Sequence, residues 1–120
     1  MKYLLWVGLG GFLGSVLRAQ MSKWLYVWQS YFPLPTLIVN AIGALFIGII
    51  LGGPLRNNNQ LIAFIATGFC GGFTTFSAFA NENLLLLKNG QILLCLIYAF
   101  GSLVFGIIGC AAGYLIGRHL

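Results

Sequence analysis

Gly68–Phe79 reads Gly-Phe-Cys-Gly-Gly-Phe-Thr-Thr-Phe-Ser-Ala-Phe, three glycines and three hydroxyl side chains inside an otherwise apolar run of membrane length. Such a segment breaks a helix where breaking is costly. In hydrocarbon an unpaired backbone N–H or C=O costs several kcal/mol, so non-helical backbone at that depth survives only where it is buried in protein or lines a polar pathway. The stretch therefore predicts a broken membrane helix at a binding or conduction site.

The surrounding composition fixes the class. Hydrophobic residues make up 60% of the 120, charged residues 6%, and the mean hydropathy is +0.98. That leaves too little polar surface for a soluble domain and predicts an integral membrane protein. Six basic residues against one acid give a net charge of +5, but they are too sparse and scattered for a nucleic-acid face.

Outward from the broken segment, four apolar stretches approach the ~20 residues that cross a bilayer as helix. They run from Tyr3 to Met21, Leu34 to Gly53, Leu61 to Leu87 and Ile92 to Ile116, joined by short polar connections that leave the chain as one four-span domain. Lys2 ahead of an apolar run resembles a secretory signal. The first stretch contains Arg18, however, and no small-residue cleavage site precedes the second, so a retained helix is expected.

With four spans, Lys2, Arg56 and Arg118 fall on one side and Arg18, Lys23 and Lys88 on the other. Orientation follows the Lys/Arg imbalance of short loops, and here the counts balance. Insertion both ways up, and with it an antiparallel two-fold dimer, is the expectation. The alternative is that one orientation wins through details the count ignores.

Small residues recur four apart: Gly10 and Gly14, then Ala44, Gly48 and Gly52, then Gly109, Gly113 and Gly117. That spacing lets membrane helices approach closely and reads as packing. Trp6, Trp24, Tyr26, Trp28 and Tyr31 suit interfacial belts. Cys70, Cys95 and Cys110 show no metal-ligand spacing and read as small buried hydrophobes. His119 lies one residue from the end of the sequence. With one acid and no nucleophile–base set, the sequence does not predict an enzyme.

Three polar residues stand where a membrane should not tolerate them. Arg18 closes the first span; it is either functional or an interfacial side chain that snorkels to water. Asn40, within the run Thr36–Gly48, either glues helices or solvates a polar guest. Glu82 follows Phe79 by three residues, sharing its face if helix resumes, and lies within two turns of Lys88.

Taken together, Gly10–Arg18 (GGFLGSVLR), Thr36–Gly48 (TLIVNAIGALFIG) and above all Gly68–Phe79 resemble the Fluc family, also called CrcB, of small membrane fluoride channels. The resemblance covers essentially the whole chain. It implies an all-α membrane fold of four transmembrane helices with the third broken, in an antiparallel, dual-topology homodimer. Two pores and a sodium ion at the dimer interface are implied too, with passive export of fluoride across the cell (plasma or inner) membrane.

By the same resemblance Phe76 and Phe79 face the fluoride pathway and Asn40 lines it. Tyr98 and Ser102 match polar positions on the pore wall, Arg18 a vestibule arginine, and Gly71 and Thr74 the positions whose carbonyls hold sodium. Ala19, Pro35, Ala80 and Gly106 depart from the family's pattern.

The chemistry of these residue types is compatible with that assignment. Fluoride is small and strongly hydrated, so a pore must replace its water with donors; Asn40, Thr75, Ser77, Tyr98 and Ser102 supply them without a fixed positive charge that would trap the ion. Phe76 and Phe79, three apart, share a helix face, and a phenyl ring has a positive edge. Read without the resemblance, the pair would be core packing. The competing class is a four-span, dual-topology, proton-coupled antiporter of cationic drugs. It needs a membrane-buried carboxylate, and Glu82 is the single candidate. A purely structural glycine-rich subunit would leave the hydroxyl-rich break unexplained.

Overall fold

Long apolar runs punctuated by proline, asparagine and glycine become helices joined by tight turns. The computed structural model describes residues 1–28 and 32–120. Helix α1 spans Lys2–Leu25 and runs into a 3₁₀ turn at Tyr26–Trp28; α2 spans Leu34–Gly52, with Pro35 in its first turn. There its missing N–H costs nothing. A 3₁₀ turn at Pro54–Asn57 leads to Asn58, whose Oδ1 accepts from the N–H groups of Gln60 and Leu61 at 3.1 Å each. The asparagine run thus supplies an N-cap.

Helix α3 covers residues 59–73: an α-helical turn at Asn59–Leu61, π-helix over Ile62–Cys70 and a second α-helical turn at Gly71–Phe73. Thr74 and Thr75 are extended (φ −77°, ψ 155° and φ −145°, ψ 119°), and α4 then runs Phe76–Lys88. Gly90, at φ +73°, ends α4, with Gln91 N–H on the Leu86 carbonyl and Gly90 N–H on that of Leu87. Only glycine takes that dihedral without strain. Helix α5, Ile92–Arg118, completes the chain.

Four segments are long and apolar enough to cross a membrane: Lys2–Leu25, Leu34–Gly52, Asn59–Lys88 and Ile92–Arg118. The longest dimension, 47 Å, exceeds the ~30 Å hydrocarbon core of a bilayer. Large apolar side chains such as Leu4, Phe12, Leu93 and Phe100 lie exposed. Among the residues read as interfacial, Trp24 and Tyr26 are exposed; Tyr31 and the side chain of Trp28 lie outside what is described.

The glycines spaced four apart are where backbones meet. A Cβ on Gly10 would strike the Phe64 carbonyl, and one on Gly14 that of Phe69, so α1 and α3 lie in direct contact. In the same way Gly48 meets Cys110, Gly52 meets Tyr114, Gly113 meets Leu45 and Gly117 meets Ile49, seaming α2 to α5. Contacts along each seam advance together in sequence, so the partners run parallel, as first and third, and second and fourth, spans of an up-and-down bundle must. Gly113→Ala is expected to lower stability by about 1–3 kcal/mol, an overpacking cost. Gly8, with nothing within 4 Å of its Cβ position, should tolerate alanine. Thermal unfolding in detergent compares them; equal midpoints would mean that the seam adjusts freely.

Candidate functional site

The extended pair Thr74–Thr75 redistributes the backbone hydrogen bonds around it. In a continuing helix the Thr75 N–H would close on the Gly71 carbonyl; instead it donates to Asn40 Oδ1 at 2.8 Å, while Asn40 Nδ2 donates to the Thr75 carbonyl at 3.1 Å. Asn40 is therefore a clamp on the joint, pairing with Thr75 as a second strand would. Three of its four hydrogen-bonding positions matter here: two are engaged, and one Nδ2–H stays free of that clamp.

Neighbouring carbonyls follow the same logic. The Ala78 N–H, helical donor to Thr74, goes to the Thr75 hydroxyl at 3.3 Å, making Thr75 the N-cap of α4. The Gly72 carbonyl accepts from Arg18 Nε at 3.1 Å and Ser15 Oγ at 3.4 Å. The Cys70 carbonyl takes both the N–H and the hydroxyl of Thr74. Arg18 lies within α1, which continues to Leu25, and is half-buried and bonded to the joint. Ser15 was not singled out by the sequence; its spacing of three from Arg18 was the available signal.

Two cavities flank the joint. The larger, about 650 Å³, is lined by Asn40, Gly71, Thr74, Thr75, Phe76, Phe79 and Ser102 among others. The smaller, about 190 Å³, is lined by Arg18, Ser22, Tyr26, Thr36, Thr75 and Glu82 among others. Thr75 belongs to both walls. Most of the predicted site residues thus gather on one cavity. Ser77 is instead exposed beyond it, its hydroxyl 3.2 Å from that of Thr75, and Tyr98 is fully buried behind Phe79.

Phe76 and Phe79 hold their rings 5.7 Å apart, and Phe79 leans on Tyr98 at 5.1 Å. The Tyr98 hydroxyl donates to Glu82 Oε2 and the Thr36 hydroxyl to Oε1, each at 2.6 Å. The one acid of the chain is thereby held between α2 and α5 by two hydroxyls. Thr36 is 46 residues away from it, a partnership that no local pattern discloses. Among the described residues, Ser102 Oγ is the buried side-chain polar atom without a hydrogen-bond partner. Leaving such a hydroxyl unpaired costs about 1–3 kcal/mol.

The profile of the family described as "CrcB-like protein, Camphor Resistance (CrcB)" matches residues 5–114. A protein of Chlorobium chlorochromatii named fluoride-specific ion channel FluC is 42% identical, over 98% of this chain and 94% of its own length. The FluC of Thermus thermophilus is 43% identical over 99% and 95%, and FluC 2 of Bacillus subtilis 42% over 100% and 91%.

Proposed function

This chain belongs to the CrcB-like family, and from that premise we propose that it is a fluoride-selective channel, a multi-pass protein of the cell membrane that lets cytoplasmic fluoride leave down its gradient. The observation that carries the reading is the cavity wall on which Asn40, Thr75, Phe76, Phe79 and Ser102 converge beside the joint, with the Ser102 hydroxyl sealed just behind it and without a partner. A buried polar group without a partner calls for a polar guest. The guest favoured here is an anion, because the wall offers it donors and ring edges.

In the mechanism we propose, each residue replaces part of the water shell of fluoride. Ser102, once its side chain turns toward the cavity, donates its hydroxyl and Asn40 its free Nδ2–H, while the edges of Phe76 and Phe79 add weak attraction and their bulk excludes larger anions. Several weak donors in series favour passage over retention. Arg18 draws anions into the smaller cavity, and Thr75, shared by both walls, hands them across. Tyr98 enters this scheme only through its neighbours, since its hydroxyl is engaged by Glu82, and Ser77 enters through the hydrogen bond that its hydroxyl shares with that of Thr75.

The functional unit we propose is an antiparallel homodimer with two pores and a sodium ion between protomers. The chemistry of the joint fits such an ion. The Gly71 and Thr74 carbonyls lose their helical donors to Asn40 and to the Thr75 hydroxyl, and a hard cation takes oxygen ligands. Gly71 and Thr74 of both protomers would hold it, supplying a fixed positive charge near the anion route. Ion-replacement crystallography that finds only water there would remove it from the scheme.

The functional experiment is fluoride efflux from liposomes containing the purified protein, beside chloride. Fast fluoride release with little chloride release is expected; no fluoride release above protein-free liposomes would overturn the reading. Proton-driven uptake of a cationic drug, lost in Glu82→Ala, would favour the antiporter instead. For topology, single cysteines at Asn57 and Asn89 in an otherwise cysteine-free protein are labelled in intact cells with an impermeant reagent; Asn57 is used because Asn58 caps α3. Each should label in about half the molecules if loop charge governs insertion. One-sided labelling would sink dual topology.

A further inference from the structure

Helix α4 begins at a non-helical joint, so its rotation about its own axis is not dictated by α3. Its 13 residues take their orientation from what ties them to α2 and α5. One tie is Glu82, held by Thr36 of α2 and Tyr98 of α5. The other is Asn83, whose Nδ2 donates to the Phe79 carbonyl at 2.9 Å and whose Oδ1 accepts from the Cys95 thiol at 3.1 Å. Reversing the amide would set its oxygen against the Phe79 carbonyl, so a single orientation satisfies both partners.

Cys95 is buried, and Tyr98, three residues on, faces the same side of α5. Two consecutive residues of α4 are thus pinned to one face of α5, with the Phe79 ring lodged against Tyr98 between them. The chemistry at position 83 is demanding. Leucine would supply neither bond, and an ionised aspartate would offer the Phe79 carbonyl no donor.

We infer that Asn83, pinned by the Cys95 thiol, is a positioning residue that fixes the backbone and ring of Phe79 where the ring lines the cavity. The thiol is more than filler here: it orients the amide that orients the phenylalanine. This inference rests on the fluoride pathway proposed above.

The test measures fluoride efflux from liposomes against fluoride concentration, per folded protein, for the full chain and for Asn83→Leu, Cys95→Ala and Cys95→Ser. Asn83→Leu, which loses both bonds, should change flux or half-saturating concentration about five- to tenfold, and Cys95→Ala, which loses one weak thiol donor, about threefold. Cys95→Ser, still a donor, should stay within about twofold. A merely structural contact would lower thermal stability and leave the half-saturating concentration alone.

A second readout is independent of transport. The S–H stretching band, assigned to Cys95 by difference against Cys95→Ser, should move to higher frequency in Asn83→Leu as the thiol loses its Oδ1 acceptor at 3.1 Å and keeps only the longer contact, 3.8 Å, to the main-chain carbonyl of residue 83. Equal transport by Cys95→Ala and Cys95→Ser, or wild-type transport by Asn83→Leu, would overturn the inference. Should Asn83→Leu fail to fold, the cysteine pair decides. If the unaltered protein passes no fluoride, the channel reading fails on its own, and an S–H band at an unbonded frequency would separately refute the tie.

Discussion

Fluoride flux through Asn40→Asp is expected to fall by about a thousandfold. At an effective dielectric near ~20, a carboxylate ~4 Å from the anion opposes it by about 4 kcal/mol, and each ~1.4 kcal/mol is a factor of ten. The backbone adds to the loss. Asn40 Nδ2 donates to the Thr75 carbonyl, and an ionised aspartate puts an acceptor there instead. Lowering the pH should reverse part of the effect, because the neutral acid regains a donor and sheds its charge. The measurement is efflux from liposomes, corrected for protein-free vesicles, with size-exclusion profiles of the variant. Wild-type flux from a well-folded Asn40→Asp protein would mean that the anion passes elsewhere.

The same asparagine shows how much the sequence disclosed. A carboxamide in the middle of Thr36–Gly48 is anomalous by composition alone, and its two readings were helix glue or solvation of a guest. The structure gives it a first task, taking the Thr75 N–H that a continuing helix would bond to Gly71 and adding a donor to the Thr75 carbonyl, and leaves one N–H for a second. The four spans were legible because hydropathy over ~20 residues is a strong local signal. The glycine seams were legible too, since a spacing of four is one helix face. What was not legible depends on pairs distant in sequence. Glu82 with Thr36, Asn83 with Cys95 and Arg18 with Gly72 are set by how α1, α2 and α5 lie against residues 71–83. The π-helical pitch of Ile62–Cys70 likewise had no sequence signature. The cysteines read as plain hydrophobes, yet Cys95 donates to Asn83.

Phe79→Ile is expected to lower fluoride flux about tenfold while the protein still folds. Isoleucine keeps the bulk and hydrophobicity of the side chain but has no quadrupole, so it removes the positive edge offered to the anion; the expected tenfold fall corresponds to about 1.4 kcal/mol. The aromatic pair with Tyr98 is lost as well, and a modest fall in unfolding temperature should accompany the loss of flux. These two consequences must be separated, and Phe76 provides the means. It is 78% exposed in the chain, so Phe76→Ile has little packing to lose within one protomer. If both rings serve the pathway, both substitutions reduce flux and Phe79→Ile alone costs the protomer stability. If the rings only pack, Phe79→Ile lowers the unfolding temperature and neither changes flux. Efflux and thermal unfolding on the same purified samples distinguish the two, and wild-type flux from both variants would remove the phenylalanines from the route.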